Sequence, residues 1–262
     1  MVHLTYLQSV SVYFVTAAIF LSIIAFYIFG HFLKRRSIRI NPKKINHDLG
    51  SINGALLALL GLLLAFTFSM ASARFDTRRQ LIIEEANNIG TVFLRTEIYP
   101  DSIQKVLKTN LKEYVDARIA FSQGGVDVPK LVKNFLHADA VGKKLWTNVA
   151  DYAKIDPTTT RTSEIIPALN DMIDITTTRR AAGESTIPDS IMYFLFALCI
   201  SSAFLLGYDN KTKIDWIVIF GFAIMLSATV FTIIDLDRPR SGLINMDTPT
   251  QKLIELKGLF KE

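Results

Sequence analysis

Residues 50–90 form one stretch with two opposite characters and no proline between them. The first part, GSINGALLALLGLLLAFTFSMASA, is long and apolar enough to cross a bilayer. The second part, RFDTRRQLIIEEANNIG, is rich in charge. The stretch therefore predicts a single helix that leaves the membrane and continues into water, and the rest of the chain must be arranged around it.

Small side chains recur along the apolar part of this helix. At 100° per residue they fall within an arc of about 100°, which we call the small-residue face. It consists of Gly50, Gly54, Ala58, Gly61, Ala65, Ser69 and Ser72. Helices in lipid associate through close approach at small residues, so packing within one protomer is one interpretation. The alternative is that copies of the helix meet around a symmetry axis and line a pathway.

Four apolar runs meet the length needed to cross about 30 Å of hydrocarbon. They are residues 10–33, 52–73, 188–208 and 214–235, in a chain of 262 residues of which 50% are hydrophobic. The short connections between the first and second runs and between the third and fourth predict two hairpins. This composition is typical of a membrane protein with a water-exposed part.

The segment between the second and third spans, residues 74–187, has apolar residues at helical spacing. We predict an all-α integral membrane protein with four transmembrane helices and a helical-bundle domain inserted between spans 2 and 3. The predicted helices of this domain continue span 2 to Ile98 and then cover 101–121 with Asp101 as N-cap, 129–155 after Gly124-Gly125, and 163–182.

The remaining segments flank the spans. An N-terminal segment covers residues 1–9, a basic link 34–51, a short link 209–213 and a C-terminal tail 236–262. The tail ends in a short amphipathic segment, QKLIELKGLF. This segment is expected either to lie along the membrane or to dock on the helical domain.

Basic residues predict the orientation of the spans. Residues 34–44 contain six Lys and Arg, whereas the segment before the first span contains none. By the positive-inside rule the link is cytoplasmic, which makes the helical domain extracytoplasmic in a bacterial inner membrane. Seven arginines lie near the opposite side, but they are interleaved with acids. We attribute the net charge of +5 to this topology and expect no nucleic-acid partner.

Charged segments follow spans 2 and 4 and precede span 3, so the hairpin arrangement places all three on one side of the bilayer. We call these residues the charge layer. It consists of Arg74, Asp76, Arg78, Arg79, Glu84, Glu85, Asn87, Asn170, Asp171, Asp174, Arg179, Arg180, Asp235, Asp237, Arg238 and Arg240. A structural collar of paired charges is the plainer interpretation. The alternative is an ion vestibule or filter ring, in which Asp235 is the deepest acid.

No catalytic or metal-binding pattern is present in the sequence. The four histidines, at positions 3, 31, 47 and 137, share no metal-ligand spacing, and HExxH, CxxC and P-loop patterns are missing. The serines and threonines lack a neighbouring histidine base. We therefore expect no enzyme activity, no metal and no cofactor.

Several ordered blocks resemble the bacterial bestrophin-like domain family over about residues 45–245. The blocks are GALLALLGLLLAFTFSMASARFDTRRQLIIEEANNIGT, IPALNDMIDITTTRR, LLGY and IIDLDRPRSGLI. The resemblance implies a relation to bestrophins, which are oligomeric anion channels with four spans and a helical domain between spans 2 and 3. The acidic calcium clasp of animal bestrophins has no counterpart here.

Two functions remain open from the sequence. The first is an oligomeric ion channel that passes small anions along span 2, with the lipid bilayer, small ions and further copies of the chain as partners. The second is a non-conducting membrane sensor or scaffold whose helical domain binds a ligand or a partner. Helices continuous with spans 2 and 3 would transmit the signal in that case.

Overall fold

The computed structural model describes residues 10–40, 49–156, 159–210, 213–238, 240 and 242–261. The predicted N-terminal segment and three basic residues, Lys43, Lys44 and Lys211, lie outside these ranges. The described helices are α1 (Val12–Ile40), α2 (Gly50–Thr96), α3 (Asp101–Ser122), α4 (Val128–Ala153), α5 (Thr159–Glu184), α6 (Asp189–Asp209), α7 (Trp216–Asp237) and α8 (Asp247–Glu255), followed by the 3-10 helix Leu256–Phe260.

The all-helical class is confirmed for the described residues. Helices α1, α2, α6 and α7 contain the four stretches that are long and apolar enough to cross a membrane, by length and composition. Helix α2 is a single helix of 47 residues, as the uninterrupted stretch predicted, and it ends at Thr96 rather than at Ile98.

The chain divides into two compact units. Residues 1–74 and 186–238 form the first unit, and residues 75–185 and 239–262 form the second. The four apolar stretches belong to the first unit, and α3, α4, α5 and α8 belong to the second. Helix α2 contributes its first half to one unit and its second half to the other.

In the first unit, α1 packs against α6 and α7. The closest approach is made by two glycines, Gly30 on α1 and Gly207 on α6. A Cβ on Gly207 would overlap the carbonyl oxygen of Tyr27, and a Cβ on Gly30 would overlap that of Phe204. The two backbones can approach this closely only because both positions lack a side chain.

Polar contacts hold both ends of this helical packing. At one end the Asn53 amide donates to the Asp209 carboxylate at 3.2 Å, and the Asn210 amide donates to the Tyr27 hydroxyl at 2.8 Å. At the other end the Asp237 carboxylate accepts the backbone N–H of Ile187 at 3.0 Å. These contacts satisfy polar groups near helix ends, which lose their intrahelical partners there.

The second unit has its own hydrophobic core. Fully buried side chains from four helices meet there, including Ile89 of α2, Leu111 of α3, Leu145 of α4 and Leu169 of α5. This burial is the main favourable term in the folding of the second unit. The helical-bundle domain inserted between spans 2 and 3 stays a prediction.

The C-terminal tail packs on this second unit. Leu253 of α8 is fully buried in the core, and the Phe260 ring meets the Phe93 ring edge to face at 5.2 Å. Lys257 forms an ion pair with Asp116 at 2.8 Å. Of the two expected positions for the tail, docking on the helical domain is therefore the one observed.

The helix ends of this unit differ in one respect from expectation. Asp101 is the first residue of α3 and not its N-cap, which is Pro100, and no side chain caps that helix. Helix α4 has the capping carboxylate instead, since Asp127 accepts the backbone N–H of Lys130 at 3.0 Å. Gly125, within the α3–α4 connection, has φ of +59°, a conformation that favours glycine.

Candidate functional site

The small-residue face of α2 is turned away from the helices of its own unit. Gly50, Gly54, Ala58, Gly61, Ala65 and Ser69 are exposed, and Ser72 is half-buried. Among the described residues nothing lies within 4 Å of a Cβ built on Gly54 or Gly61. The two glycines therefore have open space beside them in the described part of the chain, and both interpretations of the small-residue face stay predictions.

A different side of α2 makes the contacts within the first unit. Asn53, Leu60, Thr67 and Ala71 are buried there and recur at helical spacing. Large apolar side chains next to the small-residue face stay exposed, with Leu62 at 54% and Phe66 at 60%. An apolar exposed surface of this kind faces lipid or another protein surface in a membrane protein.

The residues of the predicted charge layer divide between the two units. In the first unit Asp235 is fully buried, Asp237 accepts the backbone N–H of Ile187 just before α6, and the Arg238 guanidinium donates to the Val10 carbonyl at 2.6 Å. Arg74 is half-buried and also belongs to the first unit. In the second unit the exposed members are Asp76, Arg79, Glu84, Asn87, Asn170, Asp171, Asp174, Arg180 and Arg240.

Arg78 joins two helices of the second unit. Its side chain is buried, and the guanidinium donates to the backbone carbonyls of Ala182 and Ser185. Both acceptors lie at the C-terminal end of α5, where carbonyls lack intrahelical donors. Arg78 therefore provides the cationic donor that such a helix end favours.

A buried ion triad lies at the centre of the second unit. Glu85 of α2 is fully buried, and its two carboxylate oxygens accept from Arg118 of α3 and Arg179 of α5. Burial alone would raise the pKa of Glu85, but the two adjacent guanidiniums hold that pKa below its ordinary value. The carboxylate therefore stays charged and links three helices.

Glu85 and Arg179 belong to the predicted charge layer, whereas Arg118 was missed. Arg118 is 1% exposed and follows Leu111 and Tyr114 at helical spacing on the buried side of α3. A cation on an otherwise apolar helical stripe was the available signal, because a fully buried arginine needs a carboxylate partner.

A sequence comparison identifies the family to which this chain belongs. The profile of the Bestrophin-like domain matches residues 16–248, which is most of the chain. The chain belongs to the bestrophin-like family. The resemblance seen in the sequence blocks is thereby confirmed, and this bestrophin-like chain is an integral membrane protein.

Solved structures agree with that assignment at the level of the fold. A bacterial bestrophin homologue from Klebsiella pneumoniae with a tryptophan-to-alanine mutation gives a TM-score of 0.69 at 12% identity, covering 92% of this chain and 97% of that one. A leucine-to-threonine variant from the same organism gives 0.67 at 11% identity, covering 92% and 99%. A search among curated proteins gives no match.

Proposed function

We propose that this bestrophin-like chain is an oligomeric ion channel for small anions, with α2 lining the pathway. The supporting observation is the small-residue face of α2, which is exposed and unpacked in the single chain. Family membership supports the same proposal, because bestrophins are oligomeric anion channels.

The size of the side chains on α2 determines the width of a pathway shared by several copies of the helix. Glycine, alanine and serine let neighbouring helices come close. At a shared axis they also occupy less of the pathway than leucine or phenylalanine would. The adjacent exposed apolar residues of α2, Leu62 and Phe66, would then contact lipid or the next copy. A symmetric assembly repeats each lining position around the axis.

We also propose an orientation in the membrane and a role for the charge layer. The second unit corresponds to the helical domain inserted between spans 2 and 3, on the extracytoplasmic side of a bacterial inner membrane. Residues of the charge layer that follow span 2 along α2, such as Arg74, Asp76 and Arg79, would form rings at the mouth of the pathway. Rings rich in arginine favour anions over cations.

Substitution of Gly61 by tryptophan tests the lining role of α2. We expect single-channel conductance of the purified protein in planar bilayers to fall about tenfold or more, because an indole at each copy would occupy the axis. The matched control is Leu62→Trp, one residue along the helix and on the exposed apolar side. It is expected to keep wild-type conductance.

Two outcomes would contradict the lining role. The first is equal conductance for Gly61→Trp and wild type when both proteins reconstitute to the same density. The second is loss of conductance in Leu62→Trp with Gly61→Trp unaffected. Wild-type bilayers that stay silent under varied pH, voltage and calcium would remove the channel proposal as a whole.

The sensor or scaffold is the second candidate, and the uninterrupted helix α2 favours it. One helix of 47 residues contributes to both units, so displacement of one half is transmitted to the other. In a sensor of this type, span 2 does not meet its copies at a central axis.

Cross-linking separates the two candidates. Cys199 is the single cysteine of the sequence, so Gly61→Cys in a Cys199→Ser background provides one reporter thiol on the small-residue face. The channel predicts cross-linked dimers under mild oxidation in membranes, because copies of α2 surround one axis. A Leu198→Cys variant in the same background, at a buried position of α6, is the control and should stay monomeric. Absence of Gly61→Cys dimers would favour the sensor.

A further inference from the structure

Three arginines surround one aromatic ring in the second unit. The guanidinium carbons of Arg118, Arg179 and Arg240 lie 4.9, 5.8 and 4.8 Å from the centroid of the Phe121 ring. These distances allow cation–π attraction, which brings like charges to a common site. We call Arg118, Arg179 and Arg240 the arginine cluster.

The arginine cluster has more positive charge than its protein partners neutralise. Among the described residues, Glu85 is the carboxylate that pairs with it, and it pairs with Arg118 and Arg179. Within the described part of the chain, Arg240 donates long hydrogen bonds to the carbonyls of Phe121 at 3.3 Å and Gly125 at 3.4 Å. Among the described residues, three guanidiniums share one carboxylate, so the positive charge of the arginine cluster exceeds the negative charge that pairs with it.

The like charges affect Arg240 directly. Arg240 is exposed as a residue, but partial burial of its head group and the positive charges of Arg179 and Arg118 lower its pKa to about 10. Neighbouring carboxylates would oppose this shift by stabilising the charged form.

Arg118 also has hydrogen-bond donors that the protein leaves unused. Its Nε donates to Glu85, but Nη1 and Nη2 are buried and have no hydrogen-bond partner among the described residues. A buried donor without a partner loses its hydration and gains nothing in exchange. Such groups are rare in native structures, and an unseen ion is one of their explanations.

We propose that the arginine cluster binds a small oxyanion of the class of inorganic phosphate or sulfate. Guanidinium groups present paired N–H donors whose geometry matches such oxyanions, and the resulting bonds are charge-assisted. The exposed Arg240 provides the side from which the anion enters.

This site is independent of ion conduction. It lies within the second unit and uses none of the residues of the small-residue face, so binding can be measured on protein that conducts nothing. Failure of the channel experiments therefore leaves this proposal unaffected, and the reverse also holds.

The test is calorimetric titration of the purified full-length protein in detergent with inorganic phosphate, at constant ionic strength. We expect saturable binding and a rise of the thermal unfolding midpoint with phosphate concentration, because a ligand that binds only the folded state stabilises it. Arg240→Gln is expected to weaken phosphate binding about tenfold or more, since one charge-assisted contact is lost.

The matched control is Arg180→Gln. Arg180 follows Arg179 in sequence, but it is exposed and pairs with Glu184 at 2.9 Å outside the cluster. Wild-type phosphate affinity is expected for this variant. In phosphate-free buffer Arg240→Gln should be at least as stable as wild type, because it removes repulsion from the other two arginines.

Three results would each overturn the proposal. The first is a wild-type protein that gives neither binding heat nor a phosphate-dependent midpoint. The second is a rise of the midpoint in chloride, at the same ionic strength, as large as the rise in phosphate, which would indicate screening only. The third is wild-type phosphate affinity in Arg240→Gln, and a lower midpoint without phosphate would then identify Arg240 as a structural tether to the Phe121 and Gly125 carbonyls.

Discussion

Replacing Glu85 by glutamine is expected to destabilise the full-length protein by about 3–5 kcal/mol. The carboxylate is fully buried and accepts from Arg118 and Arg179, which are 1% and 8% exposed. Glutamine keeps the shape but removes the charge, so two buried guanidiniums lose their only carboxylate partner among the described residues. The measurement is the free energy of unfolding by chemical denaturation in detergent.

Two further variants separate charge from packing in this experiment. Glu84→Gln removes a carboxylate one residue away at an exposed position and should change stability by less than about 0.5 kcal/mol. Glu85→Leu combined with Arg118→Met and Arg179→Met removes all three charges, and it should recover much of the lost stability because buried ion triads are often replaceable by apolar groups. Wild-type stability in Glu85→Gln would contradict the buried triad.

This triad determines how α2, α3 and α5 are held together. The partners of Glu85 are 33 and 94 residues away in sequence, so the carboxylate connects helices that are distant along the chain. Buried charges tolerate few arrangements, because each misplaced partner leaves an uncompensated ion. We infer that the triad favours one packing of these helices over alternatives that apolar contacts alone would allow.

The helical elements could be predicted because their signals are local. The apolar runs have the length of membrane spans. Because there is no proline between Gly50 and Gly90, one helix could be predicted through both the apolar and the charged part of that stretch. Gly124-Gly125 marked the end of α3, and the structure places Gly125 at a positive φ. Each of these signals depends on a few neighbouring residues and needs no knowledge of tertiary packing.

The contacts of the site could not be predicted in the same way. Gly54 and Gly61 predicted close packing of α2 against another helix, yet both are exposed. The closest approach is instead made by Gly30 of α1 and Gly207 of α6. The difference depends on which face of one helix meets another, and helical spacing within one segment does not contain that information. Arg118 was missed for the same reason, since its partner Glu85 lies on another helix.

Substitution of Gly207 by alanine is expected to destabilise the first unit by about 3 kcal/mol or more. The added Cβ would overlap the carbonyl oxygen of Tyr27 and lie 2.7 Å from its carbonyl carbon. Both are backbone atoms of α1, so no side-chain rotation can relieve the overlap, and the two helices must separate. Separation would also lengthen the hydrogen bond between Asn210 and the Tyr27 hydroxyl.

The matched control for this prediction is Gly221→Ala on α7. Nothing among the described residues lies within 4 Å of a Cβ at Gly221, so alanine there should be neutral or stabilising by up to about 1 kcal/mol, through its higher helix propensity. Denaturation in detergent compares the two variants with wild type. If Gly207→Ala were as stable as Gly221→Ala, the close backbone contact between α1 and α6 would be wrong. Backbone atoms cannot rotate away from the added methyl group as a flexible side chain can.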